Sequence, residues 1–184
     1  MESDMRDLVK DLIYGLALLA LFSACDRKPI ETGTEVDILH DGQLVYSDDF
    51  VDAGLSGQWH SQGNTWSIDP EAGRLTGAHA HNDALWLDFP LPEEVRVEFD
   101  AWSLTSEGDI KFEIFGDGQN HESGYVGIYG GWNNRVTCIA RLDEHGEDRL
   151  DAPSHRPVET GQLYHFSVVR TDHRLQLYIN DEAV

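Results

Sequence analysis

Residues 123–149 read SGYVGIYGGWNNRVTCIARLDEHGEDR. From Tyr125 to Tyr129 an aromatic residue or Gly alternates with an aliphatic one. Gly130-Gly131-Trp132-Asn133-Asn134 interrupts the alternation, which resumes from Arg135 to Leu142. Two period-2 runs joined by a short Gly/Asn turn predict a β-hairpin. Successive side chains of a strand point to opposite faces. Hydrophobicity therefore assigns Val126, Ile128, Val136, Cys138, Ala140 and Leu142 to a core, and Tyr125, Gly127, Tyr129, Arg135, Thr137, Ile139 and Arg141 to the other face.

Outward from this hairpin the same grammar repeats. Leu44-Val45-Tyr46 predicts a first strand. Trp59-His60, Trp66–Ile68, Arg74–Thr76, Ala84–Phe89, Val95–Trp102 and Asp109–Phe115 predict further strands before the hairpin, with a Pro70…Gly73 turn between the second and third of these. A polar excursion spans 143–161. Leu163–Thr171 and Arg174–Asn180 predict a closing pair that turns at Asp172-His173. No stretch after Cys25 carries helical periodicity, and about ten short strands at this spacing predict an all-β antiparallel β-sandwich or jelly roll. The last strand ends close to Val184, so one or more further strands are expected to cover its edge.

The chain has 184 residues, enough for one domain with a sizeable core. It carries 34 Asp and Glu against 13 Lys and Arg, a net charge of −21. Nucleic acid and anionic lipid headgroups would be repelled. Only Lys10, Lys28 and Lys111 are lysines, a composition suited to a salty habitat.

Arg6 and Lys10 precede an apolar run, Leu12 to Phe22, which is too short to span a bilayer and suits a signal-peptide core. Met5 offers a more basic start than Met1. Leu21-Phe22-Ser23-Ala24-Cys25 resembles a bacterial lipobox, in which small residues precede a Cys that receives diacylglycerol and becomes the new amino terminus. The resemblance implies a signal peptide over 1–24, lipidation of Cys25, a tether over 25–42 and a sandwich domain over 43–184, outside the cytoplasm in the periplasm or at the cell surface. Asp26 resembles an inner-membrane retention signal. With Cys25 lipidated, Cys138 has no disulfide partner and reads as a small buried hydrophobe.

In order, YSDDF (46–50), Trp59, NTWSIDPEAGRLTG (64–77), ALWLDF (84–89), VEFDAW (97–102), FGDG (115–118) and GYVGIYGGWNN (124–134) resemble the concanavalin A-like lectin/glucanase superfamily. The nearest likeness is to laminin-G-like and 3-keto-disaccharide-hydrolase-like domains, over roughly residues 44–180. The resemblance implies two curved antiparallel sheets and glycan binding or cleavage on one of them.

If the strands from Val95 to Arg141 are sheet neighbours, one face gathers Trp102, Lys111, Tyr125, Tyr129, Arg135 and Arg141, together with Arg96, Glu98, Asp100 and Glu113. Aromatic rings stack on the apolar faces of a pyranose, and planar charged groups take paired hydroxyls. These six residues are the expected glycan contacts; the alternative is a solvated face laced by cross-strand ion pairs. Glu98, Asp100 and Glu113 are candidate catalytic carboxylates for glycoside hydrolysis. Glu98-x-Asp100 resembles part of the laminarinase-type Glu-x-Asp-x-(x)-Glu strand, but Trp102 or Ser103 stands where its last carboxylate belongs. His79-x-His81 would share a strand face as two metal ligands. Asp48 and Asp49 could supply two of the six to eight oxygens a structural Ca²⁺ takes. No phosphate loop, nucleophile elbow or CxxC pair is present, so no cofactor is expected. The sequence supports a lipid-anchored carbohydrate-binding domain, with a glycoside hydrolase of the same fold and an adhesive surface domain as alternatives.

Overall fold

A computed structural model describes residues 41–52, 54–55, 57–78 and 83–184. The chain is an all-β protein of antiparallel pairs. Two small sheets come first. β1 (Trp59–Ser61) pairs with β4 (Leu85–Leu87), and β2 (Trp66–Asp69) pairs with β3 (Arg74–Gly77). The body is a sandwich of two four-stranded sheets. One holds β5 (Val95–Ala101), β10 (Tyr164–Thr171), β11 (Arg174–Ile179) and β12 (Glu182–Ala183), in the order β12-β11-β10-β5. The other holds β6 (Ile110–Ile114), β7 (Tyr125–Gly130), β8 (Val136–Arg141) and β9 (Leu150–Asp151), in sequence order.

The predicted hairpins are present. β7 pairs with β8, with Tyr129 opposite Thr137. β10 pairs with β11 around Asp172-His173. The short β12 adds to the outer edge of β11. Residues 44–46 do not form the expected first strand; Leu44 and Val45 are exposed and no sheet edge receives them.

The strands from Val95 to Arg141 are not all neighbours. β5 bonds to β10, whereas β6 bonds to β7, so the chain crosses from one sheet to the other between Ala101 and Ile110. Facing residues of the two sheets form the main core. Val97, Phe99, Tyr164, Phe166, Val168, Leu175, Leu177 and Ile179 come from one, and Ile110, Phe112, Ile114, Tyr125, Tyr129 and Ile139 from the other. Phe166 lies at the centre, fully buried. It stacks on Phe99 with centroids 5.0 Å apart and meets the edges of Phe112 and Tyr129 at 6.5 and 6.0 Å.

This arrangement corrects the expected faces of β7 and β8. Ile110, Phe112 and Ile114 point between the sheets, and their direct partners are Tyr129, Gly127 and Tyr125. Directly opposite residues share a face, so the tyrosines belong to the inter-sheet core. Gly127 is required there because a Cβ would overlap the Phe112 ring. Val126, Ile128 and Cys138 face away from the other sheet and form a second buried cluster with Trp132 and Val136. β7 is thus covered on both sides, and its burial alone could not report its orientation.

Candidate functional site

The second cluster is covered by the turn after β7 and by the segment 142–149 between β8 and β9. The turn is left-handed. Trp132 (φ 51°, ψ 60°), Asn133 (φ 58°, ψ 49°) and Asn134 (φ 60°) follow one another with positive φ, and the Arg135 N–H donates to Gly131 O at 2.9 Å. Such backbone costs an L-residue about 1–2 kcal/mol, and Asn bears it better than Trp. Contacts outside the turn hold it. The Asn134 amide donates to Val158 O (2.7 Å) and Ser106 O (3.2 Å), and its oxygen accepts from Val158 N (2.7 Å). His155 bridges Asn134 O and the Thr137 hydroxyl, each at 2.9 Å. Trp132 is thereby set against the Val126–Ile128–Cys138 cluster, with the Arg149 guanidinium 4.8 Å from its ring centroid and the edge of His145 at 5.4 Å.

Beside it, alternate residues of β6 bring Lys111 and Glu113 to the same outer face. Glu113 is almost wholly buried. Its oxygens accept the backbone N–H groups of Glu122 (2.9 Å), Ser123 (2.8 Å) and Gly124 (2.8 Å), the Ser123 hydroxyl (3.1 Å) and His121 Nδ1 (3.1 Å). Glu144 reaches back from 142–149 to Lys111, whose Nζ lies 3.0 Å from Oε1 and 2.7 Å from Oε2. Oε1 accepts the hydrogen bond; Oε2 is sealed from solvent with no hydrogen-bond donor aligned on it. Glu122 Oε1 accepts the Glu144 N–H at 2.8 Å. His121, Glu122 and Glu144 each offer one ligand atom within 4.8 Å of the others. Beneath them, burial pushes the Cys138 thiol up to about 11, so it is no nucleophile at neutral pH.

The outer face of the other sheet carries Glu98 and Asp100, as expected from their alternation. β10 adds His165 between them. His165 Nδ1 lies 2.8 Å from Asp100 Oδ1, and Nε2 lies 3.7 Å from Glu98 Oε1 and 3.5 Å from Ser167 Oγ. Ser167 is fully buried and cannot meet a substrate. The hydrogen bond to Asp100 raises the His165 pKa above its ordinary 6.5. A raised folded-state pKa gives stability that is full below the unfolded value and is lost as pH rises through the folded value. The difference in unfolding free energy between wild type and Asp100→Asn should therefore be larger at pH 6 than at pH 9. Both side chains are about half exposed, so screening keeps it small.

The six expected glycan contacts are not brought together. Tyr125 and Tyr129 lie between the sheets; burial pushes the Tyr129 phenol up to about 12. Trp102 follows β5 in the opposite sheet, with Arg74 5.8 Å from its ring. Arg135 is exposed at the end of the left-handed turn, and exposed Arg141 pairs with Asp148 at 3.6 Å. Of the six, Lys111 alone joins the cluster just described. Glu113 is separated from Glu98 and Asp100 because the two pairs of strands lie in different sheets, so these carboxylates form no catalytic set. Asp48 is engaged by Phe50 N (2.9 Å), Trp59 Nε1 (2.8 Å) and Tyr46 OH (3.3 Å). Burial alone would raise its pKa, but those donors pull it below the usual range. Asp49 Oδ1 accepts Val51 N at 3.4 Å. Neither has a third candidate ligand beside it among the described residues. Cys25, His79 and His81 lie outside the described residues.

Sequence periodicity did not single out Trp132, His121, Glu122, Glu144, Arg149 or His165. The first sits in a turn, the next four in loops, and His165 acquires its neighbours only through the β5–β10 pairing. The chain matches no protein-family model, no curated protein and no solved structure, so the reading of this face rests on its own geometry.

Proposed function

We propose that the domain binds a glycan or glycoside on the outer face of the β6–β9 sheet, beside Trp132. The observation that carries this reading is a tryptophan held in left-handed backbone by contacts from outside its own turn. Strain of this kind is kept where position matters more than local stability. Arg149 and His145 stand against its ring, and Arg149 donates to the carbonyl of Glu144, whose carboxylate pairs with Lys111; these are planar or charged groups of the sort that take vicinal hydroxyls. On glycan arrays or affinity gels, Trp132→Ala should weaken retention by at least about tenfold, the loss expected when an anchoring aromatic is truncated. Trp102→Ala, just past the end of β5 in the opposite sheet, should leave retention unchanged. Binding that survives Trp132→Ala would overturn the reading.

The domain would work outside the cytoplasm as a concanavalin A-like lipoprotein, tethered through Cys25. A clickable fatty acid fed to expressing cells should label the wild-type chain and not Cys25→Ser, and the variant should leave the membrane fraction. Equal labelling of both would remove the lipid anchor. A second reading, glycoside hydrolysis, draws support from Glu98, Asp100 and His165 meeting on the opposite face. Turnover of a glycoside panel that Glu98→Gln abolishes would favour it over binding alone.

A further inference from the structure

We propose that His121, Glu122 and Glu144 form a divalent transition-metal site, of the zinc class, with Glu113 orienting the histidine. A carboxylate only accepts, so the imidazole places its N–H on Nδ1, 3.1 Å from Glu113 Oε2. The Nε2 lone pair is then left facing Glu144 Oε2 at 3.7 Å. With the imidazole neutral two acceptors face each other, and Glu144 Oε2, sealed from solvent, has no aligned hydrogen-bond donor and only the Lys111 ammonium 2.7 Å away as its ion-pair partner. The Nε2–Oε2 separation is long for a hydrogen bond and short for mutual repulsion. It suits two ligands of one cation: bonds of about 2.0–2.2 Å in tetrahedral geometry set neighbouring ligand atoms about 3.4 Å apart. Glu122 supplies the third atom within the same 4.8 Å span.

The surroundings agree. A metal-bound histidine characteristically donates its other N–H to a carboxylate. Glu113 has that relation to His121, and three backbone N–H groups fix it in place. Glu113, Glu122 and Glu144 bring three negative charges and Lys111 returns one, so a divalent ion would neutralise the remainder. Lys111 donates to Glu144 Oε1 and lies 2.7 Å from Oε2, so a metal taking Oε2 would leave the ammonium on Oε1 alone. One imidazole and two carboxylates favour zinc-like ions over Ca²⁺, which prefers six to eight oxygens. Three protein ligands leave at least one coordination position for water or a substrate hydroxyl.

The inference stands on side-chain geometry, not on glycan recognition, and its test uses no sugar. The chelator-stripped full chain is titrated with Co²⁺, followed by its visible absorption, and then with competing Zn²⁺. The wild type should take up one equivalent at a site that His121→Ala and Glu144→Gln each abolish. Glu113→Gln should weaken binding by about 10–100-fold, the usual effect of losing an orienting carboxylate. Lys111→Met should tighten it several-fold, because a repelling ammonium is gone; a merely structural ion pair would not give that gain, and this variant serves if the others fail to fold. No saturable uptake by the wild type, uptake undiminished in folded His121→Ala, or unchanged affinity in Lys111→Met would overturn the assignment.

Discussion

Phe166→Ala should destabilise the domain by about 3–5 kcal/mol, the range for deleting a fully buried aromatic. On a chain of this size that corresponds to a fall in Tm of about 6–20 °C. The reason lies in what the ring touches. It stacks on Phe99 within its own sheet and meets both Phe112 and Tyr129 from the facing sheet. Removing it opens a cavity on both sides of the sandwich at once, and strands on either side cannot collapse into it without losing register. Tyr129→Ala should follow the same course, since Tyr129 is buried against Tyr164 and Phe166. A tyrosine on a solvated face would cost only about half a kcal/mol. Thermal or denaturant unfolding of the pair therefore measures which way β7 faces. A Tyr129→Ala variant as stable as wild type would put that ring back outside.

The strands were legible in the sequence and their orientation was only partly so. Periodicity placed β5, β6, β7, β8, β10 and β11 because each alternates and each is bounded by turn residues. It oriented β5 and β6 correctly, since charged residues mark one of their faces. It failed on β7, where both faces are buried and an aromatic-and-glycine face looked less hydrophobic than an aliphatic one. Register decides such a strand, and register is a property of the partner: Phe112 needs a glycine opposite it, and Gly127 is there. The crossing between sheets after Ala101 was also hidden, because a loop of eight residues can end in the same sheet or in the facing one. The candidate site suffered most. Glu144 and Arg149 belong to a charged loop, and such loops are usually solvated. Only the fold shows that 142–149 lies over the outer face and returns Glu144 to Lys111. The Trp132-Asn133-Asn134 turn left one visible trace, a pair of asparagines, the residues that best tolerate left-handed backbone.

Glu113→Ala should cost about as much stability as a large core deletion, although the residue is charged. Its carboxylate is the common acceptor for the Glu122, Ser123 and Gly124 N–H groups, the Ser123 hydroxyl and His121. Hydrogen bonds to a charged group are worth about 1.5–3 kcal/mol each, and a buried donor left unpaired loses about 1–3 kcal/mol. Three backbone donors cannot all find new partners, because Gly124 is pinned: a Cβ there would collide with the backbone at Phe115 and Gly116. A net loss of about 3–5 kcal/mol is expected once some water enters. Glu113→Gln should recover only part of it, since its amide must turn NH₂ toward one of the two groups of donors. Ser123→Ala removes a single neutral donor and should cost about 1 kcal/mol. Urea unfolding of the three variants should thus rank Ala above Gln at position 113, and both above Ser123→Ala. If Glu113→Ala unfolds like wild type, the loop 116–124 is not held by this carboxylate, and the orientation of His121 toward Glu144 loses its cause.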